Sequence, residues 1–107
     1  MSFHKESHIT EIVGGEGTGK SNLPLRGLLW QIVVEPTNPT CVWSLDLYNG
    51  KGEEIGGWDG DVGSLNSTYG LVIPLTGEYM SWRFFAVSRN EPISLRIVMN
   101  EQGYGGN

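Results

Sequence analysis

Gly14-Gly15-Glu16-Gly17-Thr18-Gly19-Lys20-Ser21 has the residue types and spacing of a phosphate-binding loop, G-x-x-x-x-G-K-[ST]. In a working loop of this kind the backbone amides and a following helix N-terminus hold the phosphates, the lysine reaches the β/γ-phosphates and the hydroxyl ligates magnesium. A strand must precede it and a helix must follow. Ile9 to Val13 suits the strand. The helix fails: Pro24 and Gly27 would fall in its first turns, where proline costs about 3 kcal/mol and glycine about 1 kcal/mol relative to alanine. The segment then continues as the β-patterned Leu28 to Val34. The pattern predicts a glycine-rich loop that carries Lys20, with no nucleotide bound.

Three other groups could do chemistry. Trp58-Asp59-Gly60-Asp61 sets two carboxylates at i and i+2 beside an indole, a pattern that fits either a calcium loop with Asn66 as a neutral ligand or a sugar-stacking platform. His4 and His8 have a metal spacing only on a helix; leading into a strand, they are expected to face solvent. Trp43 shares a face with Cys41, Leu45 and Leu47, and Trp82 with Met80 and Phe84, so both indoles are assigned to the core and Trp58 to the surface. No G-x-S-x-G nucleophile motif is present. No enzyme activity and no cofactor is expected.

The elements that must position these groups have a period of two. Ile93, Leu95, Ile97 and Met99 alternate with Ser94 and Arg96; Cys41 to Leu47 and Tyr69 to Leu75 alternate likewise. These are half-buried strands. Leu25 to Glu35 and Tyr79 to Ser88 are apolar on both sides, which predicts central strands or a second face covered by another subunit. Ile9 to Val13 reads as a short strand. Asn49-Gly50 is a hairpin signal, the two Glu-Pro segments are tight connections, and Gly56 to Ser67 is the longest irregular stretch. The reading is all-β: one small antiparallel β-sandwich, jelly-roll-like, of six to eight strands and no long helix. Residues 1–8 are expected to form an N-terminal arm and residues 101–107 a flexible glycine-rich tail.

At 107 residues the chain is long enough for one domain. Its net charge of -5, with seven basic residues dispersed along the sequence, disfavours nucleic acid and anionic membrane as partners. Cys41 is the sole cysteine, so no intrachain disulfide can form, and it is expected to be buried and inert. The N-terminal residues carry no apolar run of the signal-peptide kind, so synthesis in a reducing cytoplasm is expected.

Leu23-Pro24-Leu25-x-Gly27 is echoed by Ile73-Pro74-Leu75-x-Gly77, each followed by a Trp-containing strand and a Glu-Pro turn. With the short N-terminal arm and the final Leu95-Arg96-Ile97 strand, the chain resembles the small all-β virion proteins of tailed bacteriophages that decorate capsids or build tails and fibres. The resemblance implies a non-enzymatic role in the virion: binding and stabilising the capsid lattice, with the major capsid protein as partner and several copies acting together. A tail or fibre position and a carbohydrate-binding module are the alternatives. On the lattice reading the arm, the Gly14 to Ser21 loop and the tail make the contacts, through Phe3, His4, Lys20 and Tyr104. On the carbohydrate or calcium reading, Trp58, Asp59 and Asp61 do.

Overall fold

Alternation along each strand gives one apolar side, and two such sheets bury those sides against each other. The computed structural model describes residues 3–67 and 73–101. Nine strands are present among them: Phe3–Thr10 (β1), Gly17–Lys20 (β2), Leu25–Pro36 (β3), Val42–Tyr48 (β4), Glu54–Val62 (β5), Leu65–Ser67 (β6), Ile73–Glu78 (β7), Ser81–Phe85 (β8) and Ile93–Asn100 (β9). One sheet runs β1-β9-β3, with β6 and β7 sharing the far side of β3: β7 takes Leu25 to Leu29 and β6 takes Ile32 to Val34. The other runs β2-β8-β4-β5. Every pairing is antiparallel. This order is that of a jelly roll, with β6 and β7 end to end in one lane. That split, and the four-residue β2, account for nine strands against the six to eight expected.

The core lies between the sheets. Leu29, Ile32, Val34, Leu95, Ile97 and Met99 from one side meet Trp43, Leu45, Leu47, Met80 and Phe84 from the other. Trp43 and Trp82 are fully buried, as expected, and so is Cys41. Each indole finds an acceptor, as a buried N–H must: Trp43 Nε1 donates to Gly63 O at 2.9 Å and Trp82 Nε1 to Thr10 Oγ1 at 3.0 Å. Trp43 meets Phe84 edge-on, with ring centroids 6.0 Å apart. The doubly apolar β3 is indeed central in its sheet.

Four expectations are corrected. Residues 3–8 are not an arm: β1 pairs along its whole length with β9, from Phe3 opposite Asn100 to Thr10 opposite Ile93. Its inward residues are His4, Glu6, His8 and Thr10, so no apolar alternation marks it, and the strand ends at Thr10 instead of running from Ile9 to Val13. Gly14 to Ser21 is not an open loop. Gly14 (φ 62°) and Gly15 (φ 77°) form a type I′-like turn closed by the reciprocal Val13 and Glu16 bonds of 2.8 and 3.2 Å, and β2 follows antiparallel to β8. The glycine at 19 serves packing, because a Cβ there would stand 2.4 Å from the Trp82 ring. Gly56 to Ser67 holds most of β5 and all of β6, its glycines having masked the alternation. The tail from residue 102 onward and the segment containing Tyr69 and Leu71 lie outside the described residues.

Candidate functional site

The outer face of the four-stranded sheet gathers polar and aromatic side chains in register. Lys20, Ser81, Tyr48 and Glu54 form one row across β2, β8, β4 and β5; Thr18, Arg83, Asp46 and Gly57 form the next. Paired residues project to the same side, and their neighbours Trp82, Phe84, Leu45 and Leu47 fill the core. The second row ends on a glycine. A Cβ at Gly57 would stand 3.1 Å from Asp46 Oδ1 and 3.4 Å from Glu54 Oε2, so two carboxylates converge over a position with no side chain. Tyr48 donates its hydroxyl to Asp46 Oδ2 at 3.2 Å. Partial burial and the adjacent Asp46 and Glu54 carboxylates push the Tyr48 phenol up. Arg83 lies over the Phe85 ring at 5.0 Å and donates through Nε and Nη2 to Glu16 Oε1, at 3.3 and 2.9 Å.

The first row opens into a groove lined by Lys20, Asn49, Gly50, Glu78, Tyr79 and Ser81. Tyr79 is exposed, with the Lys20 ammonium 4.8 Å from its ring centroid. Glu78 supports the groove wall: it accepts from the Gly50 amide at 2.8 Å and from the Thr76 amide and hydroxyl at 3.1 and 2.9 Å. Those bonds hold its carboxyl below the usual range. The Asn49 turn beside it is the expected β4–β5 hairpin, in which Asn49 Oδ1 accepts from the Lys51 and Glu53 amides.

The residues singled out from the sequence are distributed differently. Trp58 stands opposite Leu45 and packs partly against the core, which corrects its assignment to the surface. Asp59 is exposed and Asp61 half-buried opposite Trp43, on either side of Gly60, whose amide donates to Ser44 Oγ at 3.0 Å. This irregularity in the β4–β5 register separates the two carboxylates from a common platform. Asn66 belongs to the other sheet, and its Oδ1 accepts from Gln31 Nε2 at 2.7 Å. Among the described residues no three His, Cys, Asp or Glu side chains gather as a metal set. Lys20 joins the groove, Phe3 lies on the outer face of the other sheet beside Trp30, and Tyr104 is outside the described residues. Asp46, Tyr48, Glu54, Arg83 and Tyr79 were missed. The alternation of Trp43 to Leu47 did put Asp46 outside, but only the cross-strand register brings it to Glu54.

His4 and His8 do not face open solvent. They lie on the inner side of β1 at the seam between the sheets, and both address Glu6, whose side chain is only 4% exposed. His4 Nε2 lies 2.9 Å from Oε2, His8 Nε2 lies 2.7 Å from Oε1, and the Asn22 amide donates to Oε1 at 2.8 Å. Burial pushes the Glu6 carboxyl up, but the bonds from His4, the Asn22 amide and His8 outweigh it and hold the group below its ordinary value. His8 also stands edge-on to Trp82, at 4.7 Å between centroids.

No family model and no curated protein matches the sequence. Among solved structures, the chain is similar to the Yersinia pseudotuberculosis-derived mitogen, at 18% identity and a TM-score of 0.57, over 94% of this chain and 87% of that one. It is also similar to the carbohydrate-binding module CBM36 in complex with calcium and xylotriose, at 8% identity and a TM-score of 0.45, over 94% and 98% of the two chains. At 18% identity the mitogen shares the β-sandwich fold and nothing finer.

Proposed function

We propose that this protein is a non-catalytic binding module that holds a polyhydroxylated ligand, a glycan, on the outer face of its four-stranded sheet. The observation that carries the reading is the convergence of the Asp46 and Glu54 carboxylates over Gly57, with the Tyr48 hydroxyl fixed on Asp46. Ionised carboxylates are acceptors with several lone-pair directions, suited to paired hydroxyls of a sugar. The glycine lets the two carboxylates draw together over the sheet, and the exposed Tyr79 offers an apolar face at the end of the same surface. This moves the carbohydrate-binding alternative from Trp58, Asp59 and Asp61 to a different set of residues on the same sheet.

A glycan array with and without calcium, followed by calorimetry on the best ligand, tests the reading. Asp46→Ala and Glu54→Ala are each expected to weaken binding about tenfold to a hundredfold, the worth of a hydrogen bond to a charged group. Gly57→Ala should weaken it comparably by pushing the Asp46 and Glu54 carboxylates apart, while the fold persists, since the side-chain oxygens can give way. A protein that binds no glycan, or binds equally well in all three variants, sinks the proposal. Placement in a tailed-phage virion, beside its major capsid protein, is our proposal for the setting and is supported by the resemblance in sequence style.

A further inference from the structure

Two of the seven basic residues, Lys5 and Arg96, are far apart in sequence and meet on one face of the fold. The outer face of the five-stranded sheet carries Phe3, Lys5, Ser7 and Ile9 from β1, and Arg96 and Val98 from β9 opposite Ser7 and Lys5. From β3 it carries Val33 and Glu35. Lys5 and Arg96 are exposed, and neither has an ion-pair partner among the described residues. Trp30 stands at the register shift between Leu29 and Gln31 and meets Phe3 edge-on, at 6.5 Å between centroids. Phe3 is 44% exposed, Trp30 37% and Ile9 68%. Val33 and Val98 lie between them, already covered. In a chain of net charge -5, Lys5 and Arg96 set against Glu35 leave this face a small excess of positive charge beside Phe3, Trp30 and Ile9.

Two of the sheet edges carry guards against strand addition. β1 is an edge strand with a carboxylate, Glu6, pointing inward, and β5 is an edge strand with two register irregularities and the acids Glu54, Asp59 and Asp61. Inward charges and bulges are the devices by which sheets block strand addition. A like copy laid face to face would oppose cations to cations. Trp and Arg are the side chains that anchor protein interfaces. The exposed aliphatic Ile9 beside the aromatic pair suits another protein better than a sugar, which stacks on planar rings. Two cations would add only about 1 kcal/mol each on an anionic bilayer, short of stable anchoring.

We infer that the Phe3–Trp30–Lys5–Arg96 face of the five-stranded sheet docks an acidic protein surface with apolar side chains at its centre. The inference does not depend on the glycan site, which is on the opposite face. It is tested by nuclear magnetic resonance titration of the full chain with a short synthetic peptide of glutamate, leucine and phenylalanine. The same peptide with lysine in place of glutamate, phosphatidylserine-containing vesicles and a heparin oligosaccharide run as parallel arms. The acidic peptide should shift the amides of Phe3, Lys5, Trp30, Arg96 and Val98. Affinity should fall about tenfold or more in Lys5→Glu/Arg96→Glu, and sharply in added salt. Circular dichroism should show that this variant keeps its fold, because both side chains are exposed; Trp30→Ala is the second, independent variant. The inference is overturned if the acidic peptide shifts no residue of this face, if the lysine peptide does as well, or if the charge-reversed protein binds equally. It is overturned too if vesicles or heparin bind this face and the acidic peptide does not.

Discussion

The two outer faces of this sandwich arise from one rule, side chains alternating across a pleated sheet, and end with opposite chemistry. On the four-stranded sheet the outward positions are Asp46, Tyr48, Glu54, Arg83 and a bare Gly57, with each donor placed against an acceptor. On the five-stranded sheet they are Phe3, Lys5, Ile9, Val33, Glu35, Arg96 and Val98, with apolar atoms beside two cations that have no ion-pair partner among the described residues. The first is a surface of placed donors beside two carboxylates drawn together over a glycine, the polar groups that orient a small ligand. The second has the apolar centre and charged rim of a protein contact. A sheet face is thus free to specialise because the core is made by the other half of each strand.

The comparison breaks first where both faces share a support. Trp82 fills the core between the sheets, bonds Thr10 of β1, meets His8 edge-on and packs against β2 where Gly19 leaves space. Trp82→Ala should cost about 3–5 kcal/mol, a large share of the stability of such a domain, and disturb both faces. Denaturant titration with amide exchange checks this. Protection lost in the four-stranded sheet alone would show that β1 stands without the indole.

A smaller loss should fall on one face only. Glu6→Ala leaves the Asn22 amide and two imidazoles without their acceptor and should cost about 2–3 kcal/mol. Amide exchange should rise in β1 and β9, which carry Lys5 and Arg96, and stay unchanged in β4 and β5. The same carboxylate sets an acid limit. Its folded value is depressed, so its contribution is present above the usual carboxylate range and is lost as pH falls through that depressed value. Glu6→Gln should flatten the acid side of the stability profile. A profile identical to the native one would remove Glu6 from this role.

Much of the scaffold was legible because burial and alternation are local signals. Cys41 to Leu47 and Ile93 to Met99 declared their inward faces, and the Trp43 and Trp82 assignments followed from their neighbours. What escaped is what alternation of apolar residues cannot register. β1 turns His4, Glu6, His8 and Thr10 inward, and those polar groups are satisfied across the seam by partners 16 and 72 residues away, Asn22 and Trp82. Gly17 and Gly19 imitate part of a phosphate loop, but a side chain would meet the Glu11 carbonyl at the first and the Trp82 ring at the second, which only the fold reveals. The candidate site is of the same kind. Asp46 and Glu54 lie on different strands, and the register irregularity between Leu47 and Tyr48 brings Glu54 opposite Tyr48.

The smallest expected effect belongs to a residue that shapes neither face. Ala86 follows Phe85 at the end of β8 and has φ 50°, the one described non-glycine residue in the left-handed region. The bonds on its C-terminal side hold it there: the Val87 amide donates to Gly15 O at 3.0 Å and the Ser88 amide to Val42 O at 2.9 Å. The left-handed conformation costs an L-residue roughly 1–2 kcal/mol, which glycine would avoid. Glycine also widens the unfolded ensemble, at a cost of about 0.4–1 kcal/mol. The two terms nearly cancel, so Ala86→Gly should stabilise by no more than about 1 kcal/mol, a Tm rise of a few degrees in a domain of this size. Glycan affinity should not move, because the exposed methyl is remote from Asp46, Glu54 and Gly57 in the β4–β8 register, where Ser44 and Phe85 are the last pair. A thermal melt and one calorimetric titration of the variant check both statements. A loss of more than about 1 kcal/mol would mean that the methyl group is itself packed, and that the strand end is held by its side chain instead of by the two backbone bonds.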